Sequence, residues 1–474
     1  MSSLPFPFLT VAVLAPLAAI AVLRVAGANA ARMVAAVAAL VSLACSTAAL
    51  VAVTTGGGVA LGDAWSAGLL DADSLNVLPL VLFAGLALVT VMVAPKRDIG
   101  LRELSALLVV LSATLATYAT DNLVLLFVAW TASVIPFVTA WLPAQNTDAG
   151  DRGRVLASIA LLGSVVFLGA AVALMSSAAG GADSTTAGRW AFALLMVAVA
   201  LRKGVFPMHS WVASAFDRGP LMLVTLLVNV HIGAFVVLRV AIPRLPEVAR
   251  EAFPLLTDLA LFTALLGALA ALAEKRPRRI IGMVIISQAA CILAGIESAS
   301  VAGVGGAMVL WMVVAVASTG LLAVHRAIEV RFGRLTQAES YQGLAARAPR
   351  LAVFWVLFAL ALVGLPGTLG FCAEDLLLHG ALETHPFIGL ALPAATALNA
   401  FLLLRLFTRM FLGKRLVGLP KVDALPRERW ALTAAVLFLI IGGVAPSLIV
   451  KVQAPAAERV LSLLEETGPQ RARR

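Results

Sequence analysis

Two short stretches of the chain put ionisable side chains beside residues that cannot continue a helix. Residues 200–219 read ALRKGVFPMHSWVASAFDRG. Gly204 and Pro207 interrupt this stretch, Arg202 and Lys203 stand just before the interruption, and His209 stands just after it. Proline removes an amide donor and clashes with the preceding turn, so regular helix geometry yields there. Residues 361–380 read ALVGLPGTLGFCAEDLLLHG, with Gly364, Pro366, Gly367 and Gly370 at the interruption and Glu374, Asp375 and His379 after it. Amines, imidazoles and carboxylates in such places can take up and release protons. Metal chemistry has little to work with, and no metal is expected. Cys45, Cys291 and Cys372 lie far apart, with no CxxC or CxxH pair. Each sits in an apolar run, where an inert buried thiol is the ordinary reading. GGG at 56–58 lacks the Lys-Ser/Thr pair of a phosphate loop.

The elements that must position these groups are apolar almost throughout. Of 474 residues, 61% are hydrophobic and 13% charged, and the mean hydropathy is +1.01. A soluble domain carries about 25% charged residues. This composition excludes a soluble enzyme, a disordered chain and a nucleic-acid-binding domain. Continuous apolar runs cover 6–23, 33–54, 76–94, 103–119, 122–142, 155–177, 189–206, 220–242, 253–273, 280–297, 301–324, 351–371, 386–412 and 431–451. A helix needs roughly 20 apolar residues to cross a bilayer. Runs that do not alternate select helices over a barrel. The expected fold is all-α: a polytopic membrane protein with about 14 transmembrane helices. Met-Ser-Ser-Leu-Pro before the first run lacks the positive segment of a signal peptide, so that run is expected to stay as a span.

The net charge of +10 is an orientation signal. Loops joining runs 1/2, 3/4, 5/6, 7/8, 9/10, 11/12 and 13/14 hold 22 lysines and arginines, and the loops of the other face hold three, Arg189, Arg244 and Arg250. The positive-inside rule places the first face in the cytoplasm and both termini outside. The tail, with Lys451, Arg459, Arg471, Arg473 and Arg474, is the exception. Arg239, Arg405 and Arg409 stand near run ends, where snorkelling is the ordinary reading. Arg202 and Lys203 stand deep in the seventh run, and intramembrane charge marks ion paths by default.

The interrupted runs are the seventh and twelfth, five apart in order. A single proline kink is commonly a packing adjustment. Two interrupted runs at corresponding positions, both flanked by charge, point to an inverted-repeat transporter. The expected organisation is residues 1–95 (helices 1–3), 96–245 (a first five-helix repeat, helices 4–8), 246–415 (a second, inverted repeat, helices 9–13) and 416–474 (a final helix and polar tail), with helices 7 and 12 broken.

RKGVFPMHSWV (202–212), EKRPRRIIGMVIISQAACILAG (274–295), GLPGTLGFCAEDLLLHGAL (364–382), DNLVLLFVAWTASVIPF (121–137) and DADSLNVLPLVL (71–82) carry a family likeness. The chain resembles the antiporter-type subunits L, M and N of respiratory complex I, of Mrp-type sodium/proton antiporters and of membrane-bound hydrogenases. The resemblance spans about residues 70–412.

It implies proton transfer along mid-membrane charged and polar groups. Burial disfavours a lysine's charged form and a neighbouring carboxylate restores it, so moving the carboxylate's influence loads or unloads the amine. The implied proton-transfer residues here are Lys203, His231 and Glu374. Arg202, Asp375 and His209 are the implied supporting charges. The family's helix 7 position aligns with Arg202, but an arginine does not release a proton, which shifts the titrating role to Lys203. Where the family has Trp-Glu in helix 5, this chain has Trp130-Thr131, and helix 11 offers Ser318 and Thr319 without lysine or histidine. Thr131, Ser318 and Thr319 are therefore candidates for a hydration path. Without a carboxylate at position 131, the cations near 202 need solvent, another helix or another subunit.

The resemblance implies a proton-translocating subunit of a complex I-type NADH-quinone oxidoreductase or a related assembly in the bacterial inner membrane. It would carry no cofactor of its own. Its partners would be other membrane subunits, peripheral redox subunits and the lipid bilayer, with no nucleic acid. Two alternatives stay open. One is the ion-coupling membrane subunit of a DAB-type inorganic-carbon transporter, with a zinc-containing, carbonic-anhydrase-like partner subunit. The other is a scaffold subunit that has lost transport.

Overall fold

A computed structural model describes residues 6–56, 60–63, 65–141, 150–177, 186–229, 231–333, 342–384, 388–413 and 422–466. Each apolar run falls on helix. α1 (Phe8–Thr55) holds the first two runs and breaks between them at Gly27, whose φ of 70° no continuous helix allows. α2 (Val77–Val93), α3 (Leu101–Tyr118), α4 (Leu123–Trp141) and α5 (Gly150–Ser177) follow. The seventh run is α6 (Thr186–Lys203), followed after a break by α7 (Ser210–Arg218). The eighth divides into α8 (Leu221–Asn229), α9 (Ile232–Val236), a π-helical turn Val237–Ala241 and α10 (Ile242–Arg244). Then come α11 (Pro246–Ala273), α12 (Pro277–Glu297) and α13 (Val301–Phe332). The twelfth run is α14 (Pro349–Leu362) and α15 (Leu369–Thr384), and α16 (Ile388–Phe411), α17 (Pro426–Val444) and α18 (Ser447–Glu466) follow.

Among the described residues, nine helices are long and apolar enough to cross a membrane, or ten with the bent pair α17 and α18. α2, α14 and Leu123–Thr139 of α4 are apolar but short. The expected fourteen is reached only by adding these three, α6 and α17 to the nine. α12 and α13 run through the centre: the apolar window of α12 is wholly buried and that of α13 is 94% buried. The peripheral α1 and α5 turn much of their apolar surface outward, as hydrocarbon-facing helices do.

The residues after 444 are more than a polar tail. α18 bends 76° from α17 and packs on α10, α11 and α13, burying Ile449, Gln453, Ala456, Ala457, Val460 and Leu464. Lys451 and Arg459 lie on this helix. Arg471, Arg473 and Arg474 lie outside the described residues.

A two-stranded hairpin, β1 (Leu61–Gly62) with β2 (Asp71–Ala72), is tied to the end of α3. There the Asp71 amide donates to the Ala119 carbonyl and the Asn76 side chain donates to the carbonyls of Asp71 and Tyr118. The hairpin and the turn after it bring Asp71 and Asp73 to Arg239. Arg239 is buried rather than snorkelling. Its guanidinium is paired with Asp71, at 2.7 Å, and with Asp73 and Asp121, and this compensation is what makes burial tolerable. Three carboxylates share one cation. Burial pushes the Asp71 carboxyl up, Arg239 pulls it down, and Asp121 and Asp73 add to the rise, leaving it at about 6.

Candidate functional site

Both interruptions use the same cap. A helix that ends leaves carbonyls without partners, and a residue with positive φ turns the next amide back to them. Gly204 (φ 72°) and Gly364 (φ 68°) are those residues. The Val205 amide donates to the Ala200 carbonyl and the Leu365 amide to the Leu360 carbonyl, each at 3.0 Å. At the first break, the Trp211 indole on α7 also donates to the Leu201 carbonyl (2.9 Å), and the Phe206 amide donates to the Thr263 hydroxyl on α11 (3.1 Å). These bonds return part of the opened backbone to protein partners, which a position within the membrane favours.

The cap ends α6 with Arg202 and Lys203 pointing into the protein, 4% and 6% exposed. Arg202 lies against α4: its guanidinium carbon is 4.4 Å from the centroid of the Trp130 ring, and it donates to the Ser133 hydroxyl at 2.8 Å. A desolvated cation over an indole gains about 2 kcal/mol. This is how the cation is accommodated although position 131 is threonine. The Thr131 hydroxyl donates to the Phe127 carbonyl of its own helix (2.8 Å), so it is the two neighbouring residues on α4 that hold Arg202.

Lys203 turns the other way. Its Nζ is hydrogen-bonded to His231 Nδ1. It reaches there across Gly233, where a Cβ would stand 3.0 Å from Lys203 Cγ and from Val199 Cγ1. His231 is 1% exposed and occupies the left-handed region (φ 53°) between α8 and α9. Such a conformation in a non-glycine residue is uncommon outside turns and functional sites. The eighth run is therefore broken too, and the imidazole sits at the break. Among the described residues its Nε2 has no protein partner. Two residues earlier, Asn229 donates to the Thr319 hydroxyl on α13 (3.1 Å), and among the described residues its Oδ1 has no protein partner either. Ser318 donates to the Val314 carbonyl and stays out of this group. His209, beyond the first break, stacks on Phe206 with 5.9 Å between ring centroids.

Glu374 belongs to a second group. Its carboxylate curls back over the capping glycine, for a Cβ at Gly364 would fall 2.3 Å from Glu374 Oε2. The Thr396 hydroxyl on α16 donates to it at 3.2 Å. One turn on, Asn399 donates to the Ser287 hydroxyl (2.8 Å), which donates in turn to the Ala264 carbonyl. Among the described residues no contact joins Glu374 to Lys203, and no carboxylate pairs with Arg202 or Lys203. Asp375 and His379 do not face Glu374. Their side chains are 55% and 67% exposed, 3.6 Å apart on the outer face of α15.

Toward the face of the basic loops, Arg326 pairs with Asp98 through two bonds of 2.6 Å and with Glu329 at 3.0 Å. Glu329 also binds Arg278, and His325 lies 3.4 Å from it, fully buried. Asn229, Asn399 and the Asp98–Arg326 pair were not singled out from sequence. A lone asparagine inside LLVNVH or ALNAFLLL was the available signal for the first two.

Residues 120–399 match the family model described as NADH:quinone oxidoreductase/Mrp antiporter, TM. The chain is 28% identical to NADH-quinone oxidoreductase subunit 13 of Thermus thermophilus over 84% of this chain and 87% of that one. It is 25% identical to NADH-quinone oxidoreductase subunit M of Rhodobacter capsulatus, over 84% and 83%. Its fold is similar to a chain of respiratory complex I from Thermus thermophilus with bound NADH (TM-score 0.82, 25% identity, 96% of this chain and 99% of that one). It is also similar to a chain of the Mrp complex from Dietzia sp. DQ12-45-1b (TM-score 0.80, 20% identity, 97% of each).

Proposed function

Since the chain belongs to the NADH:quinone oxidoreductase/Mrp antiporter transmembrane family, we propose that it is a proton-translocating membrane subunit of a complex I-type NADH-quinone oxidoreductase or a related ion-pumping assembly. The observation that carries this reading is the buried Lys203–His231 pair held between two helix breaks. An ammonium donates only to an unprotonated imidazole nitrogen, and a neutral amine accepts only from an N–H. Two N–H donors cannot face each other, so the bonded pair holds at most one added proton. Loading it puts that proton on one of two bases a hydrogen bond apart, and emptying it leaves both neutral. Arg202 stays charged, fixed by Trp130 and Ser133, and sets the local potential against which the pair loads. Glu374, with Thr396 bonded to it and Asn399 and Ser287 one turn on, is the onward acceptor group in the second half. Among the described residues no direct bond joins the two groups, so transfer between them needs a relay.

The partners are membrane subunits of the same assembly, with electron transfer on peripheral redox subunits. The basic-loop face is the cytoplasmic one, both termini lie outside, and the membrane is the bacterial inner membrane. The inorganic-carbon alternative gains nothing from the relatives, which are respiratory and Mrp proteins. The inert-scaffold alternative keeps its two observations, the missing carboxylate at Thr131 and the lack of lysine or histidine around Ser318 and Thr319.

One experiment separates the two remaining readings: proton transport by the intact complex in proteoliposomes with Lys203→Ala and Lys203→Arg. Both variants are expected to abolish transport while assembly persists, because arginine keeps the charge and does not release the proton. Normal transport in both overturns the reading and leaves the scaffold.

A further inference from the structure

The first turns of α14 and α17 stand side by side. Each helix follows a basic loop, so both start on the basic-loop face. Asp423, just before α17, accepts from the Arg350 and Leu351 amides at the start of α14 (3.0 and 3.2 Å) and from the Ala424 amide (2.8 Å). It satisfies two of the amides that a helix start leaves without partners, and it ties the two helix starts together. A groove of about 480 Å³ opens between them, lined by Arg350, Val353, Phe354, Arg429, Trp430 and Thr433 among others. It holds two cations without a counter-charge. Among the described residues, neither the Arg350 nor the Arg429 guanidinium pairs with a carboxylate, and Arg429 Nε is buried without a hydrogen bond. The carboxylates nearest in sequence are already engaged. Asp423 is held by amides, and the buried Glu428 accepts from Arg331 (2.6 Å) and from the Leu425 amide (2.9 Å). Beyond the arginines the groove turns apolar. Leu437, Ile441 and Val444 are exposed and follow Trp430 and Thr433 at spacings of three or four, so they continue one face of α17. From Trp430 to Val444 this face runs about 21 Å at 1.5 Å per residue, against about 15 Å for the hydrocarbon of one leaflet. Trp430 is 77% exposed at the headgroup end of this face, the level at which indoles sit.

We propose that this groove binds one anionic phospholipid of the leaflet on the basic-loop face, with the phosphate between Arg350 and Arg429 and an acyl chain along Trp430, Leu437 and Ile441. An apolar stripe alone selects only hydrocarbon. The arginines at its head select the headgroup, because a guanidinium presents paired N–H donors that match two phosphate oxygens. Two of them on neighbouring helices hold the phosphate from both sides. Basic pockets between transmembrane helices recognise anionic headgroups in this way. A zwitterionic lipid offers the same phosphate with a cation attached, which the two arginines repel. The site requires nothing of Lys203, His231 or Glu374, and it stands whichever reading of transport holds.

The test uses the intact complex in phosphatidylcholine liposomes that carry a trace of photoactivatable phosphatidylglycerol or, in parallel, of photoactivatable phosphatidylcholine with the same acyl chains. Adducts are located by mass spectrometry on peptides from α14 and α17. Phosphatidylglycerol is expected to label the groove about 25-fold more than phosphatidylcholine, since each arginine near the surface contributes about fivefold. The ratio should fall several-fold in about 1 M salt, which shortens the screening length to about 3 Å. Arg350→Gln and Arg429→Gln should each lower phosphatidylglycerol labelling about fivefold and leave phosphatidylcholine labelling as it was. A ratio near one in the unsubstituted complex overturns the proposal, and that measurement needs no variant to fold. An unchanged ratio in both variants overturns it as well. So does the absence of groove adducts from both lipids, the result expected if another subunit covers this face. Excess inorganic phosphate should leave the labelling unchanged; if it displaces the lipid, the groove reads a free anion and the proposal falls.

Discussion

At the α6/α7 and α14/α15 breaks the chain stops a helix in the same way and then surrounds the stop with opposite chemistry. Both use a glycine at φ near 70° and the same amide returned to the carbonyl five residues back. At the first, two cations precede the cap and are enclosed, with an indole face, a hydroxyl and an imidazole as their partners. At the second, a carboxylate follows the cap and folds back over it, while Leu365, Pro366 and Gly367 are exposed. The cap supplies a place where the helix opens while the next amide still returns to a carbonyl of the preceding turn. What the place does is decided by the side chains next to it. The first encloses its two cations, although Pro207, Met208 and Ser210 beyond the cap are exposed, and the second leaves its carboxylate only half-buried.

If that contrast is right, the two breaks differ most in what they lose with their charged residue. Lys203→Ala should lower proton transport by the complex roughly 100-fold, the range for loss of a proton-transferring group. Glu374→Gln keeps the bond from Thr396 and should cost less. Transport rates in proteoliposomes, normalised to assembled complex, check the order. A larger loss from Glu374→Gln would invert the comparison and make the second break the principal site.

The caps themselves can be compared through alanine. An L-residue at such φ costs on the order of 1–3 kcal/mol, so Gly204→Ala and Gly364→Ala should both lower the thermal unfolding midpoint. They should not lower it equally. The new methyl at 204 meets Val212 Cγ2 at 2.5 Å, a buried branched side chain in a packed helix. At 364 the three nearest atoms all belong to the carboxylate of Glu374, which can swing away. Gly204→Ala should thus unfold at the lower temperature. Gly364→Ala should be the milder fold defect with a transport loss like that of Glu374→Gln.

The comparison also shows what a linear reading reaches. Gly204, Pro207, Gly364 and Pro366 announce both breaks, because these residues constrain the backbone wherever they stand. The third break, at His231, is silent in the sequence. VNVHIG holds no proline, and the left-handed residue is a histidine, with the one glycine two places later serving Lys203's approach. Apolar runs report which segments are buried, and they locate the helices. They do not report what a buried charge meets. Arg239 looked like a snorkelling residue because Asp73 stands 166 positions away. Asp375 looked like a companion of Glu374 because it is adjacent, although successive residues on a helix point about 100° apart. Lys203 and His231 come from the family resemblance, and their direct bond needed the fold.

That angular separation makes the smallest expected effect the most discriminating one. Asp375 and His379 form an exposed pair one turn apart, with side chains more than half open. Such pairs contribute about 0.2–1 kcal/mol, and surface substitutions away from special features stay within about 0.5 kcal/mol. Asp375→Asn and His379→Gln should therefore leave the unfolding midpoint of the isolated chain where it is. Neither should alter the Glu374-dependent part of transport, since neither group faces that carboxylate. Co-purification of the other subunits is the measurement that matters here. A neighbouring subunit that covers this face would bury both groups and make each substitution cost assembly, whereas lipid or solvent would leave assembly intact. If assembly holds while transport falls, Asp375 acts on Glu374 after all. The second break would then be an enclosed site like the first, and the contrast between the two would be lost.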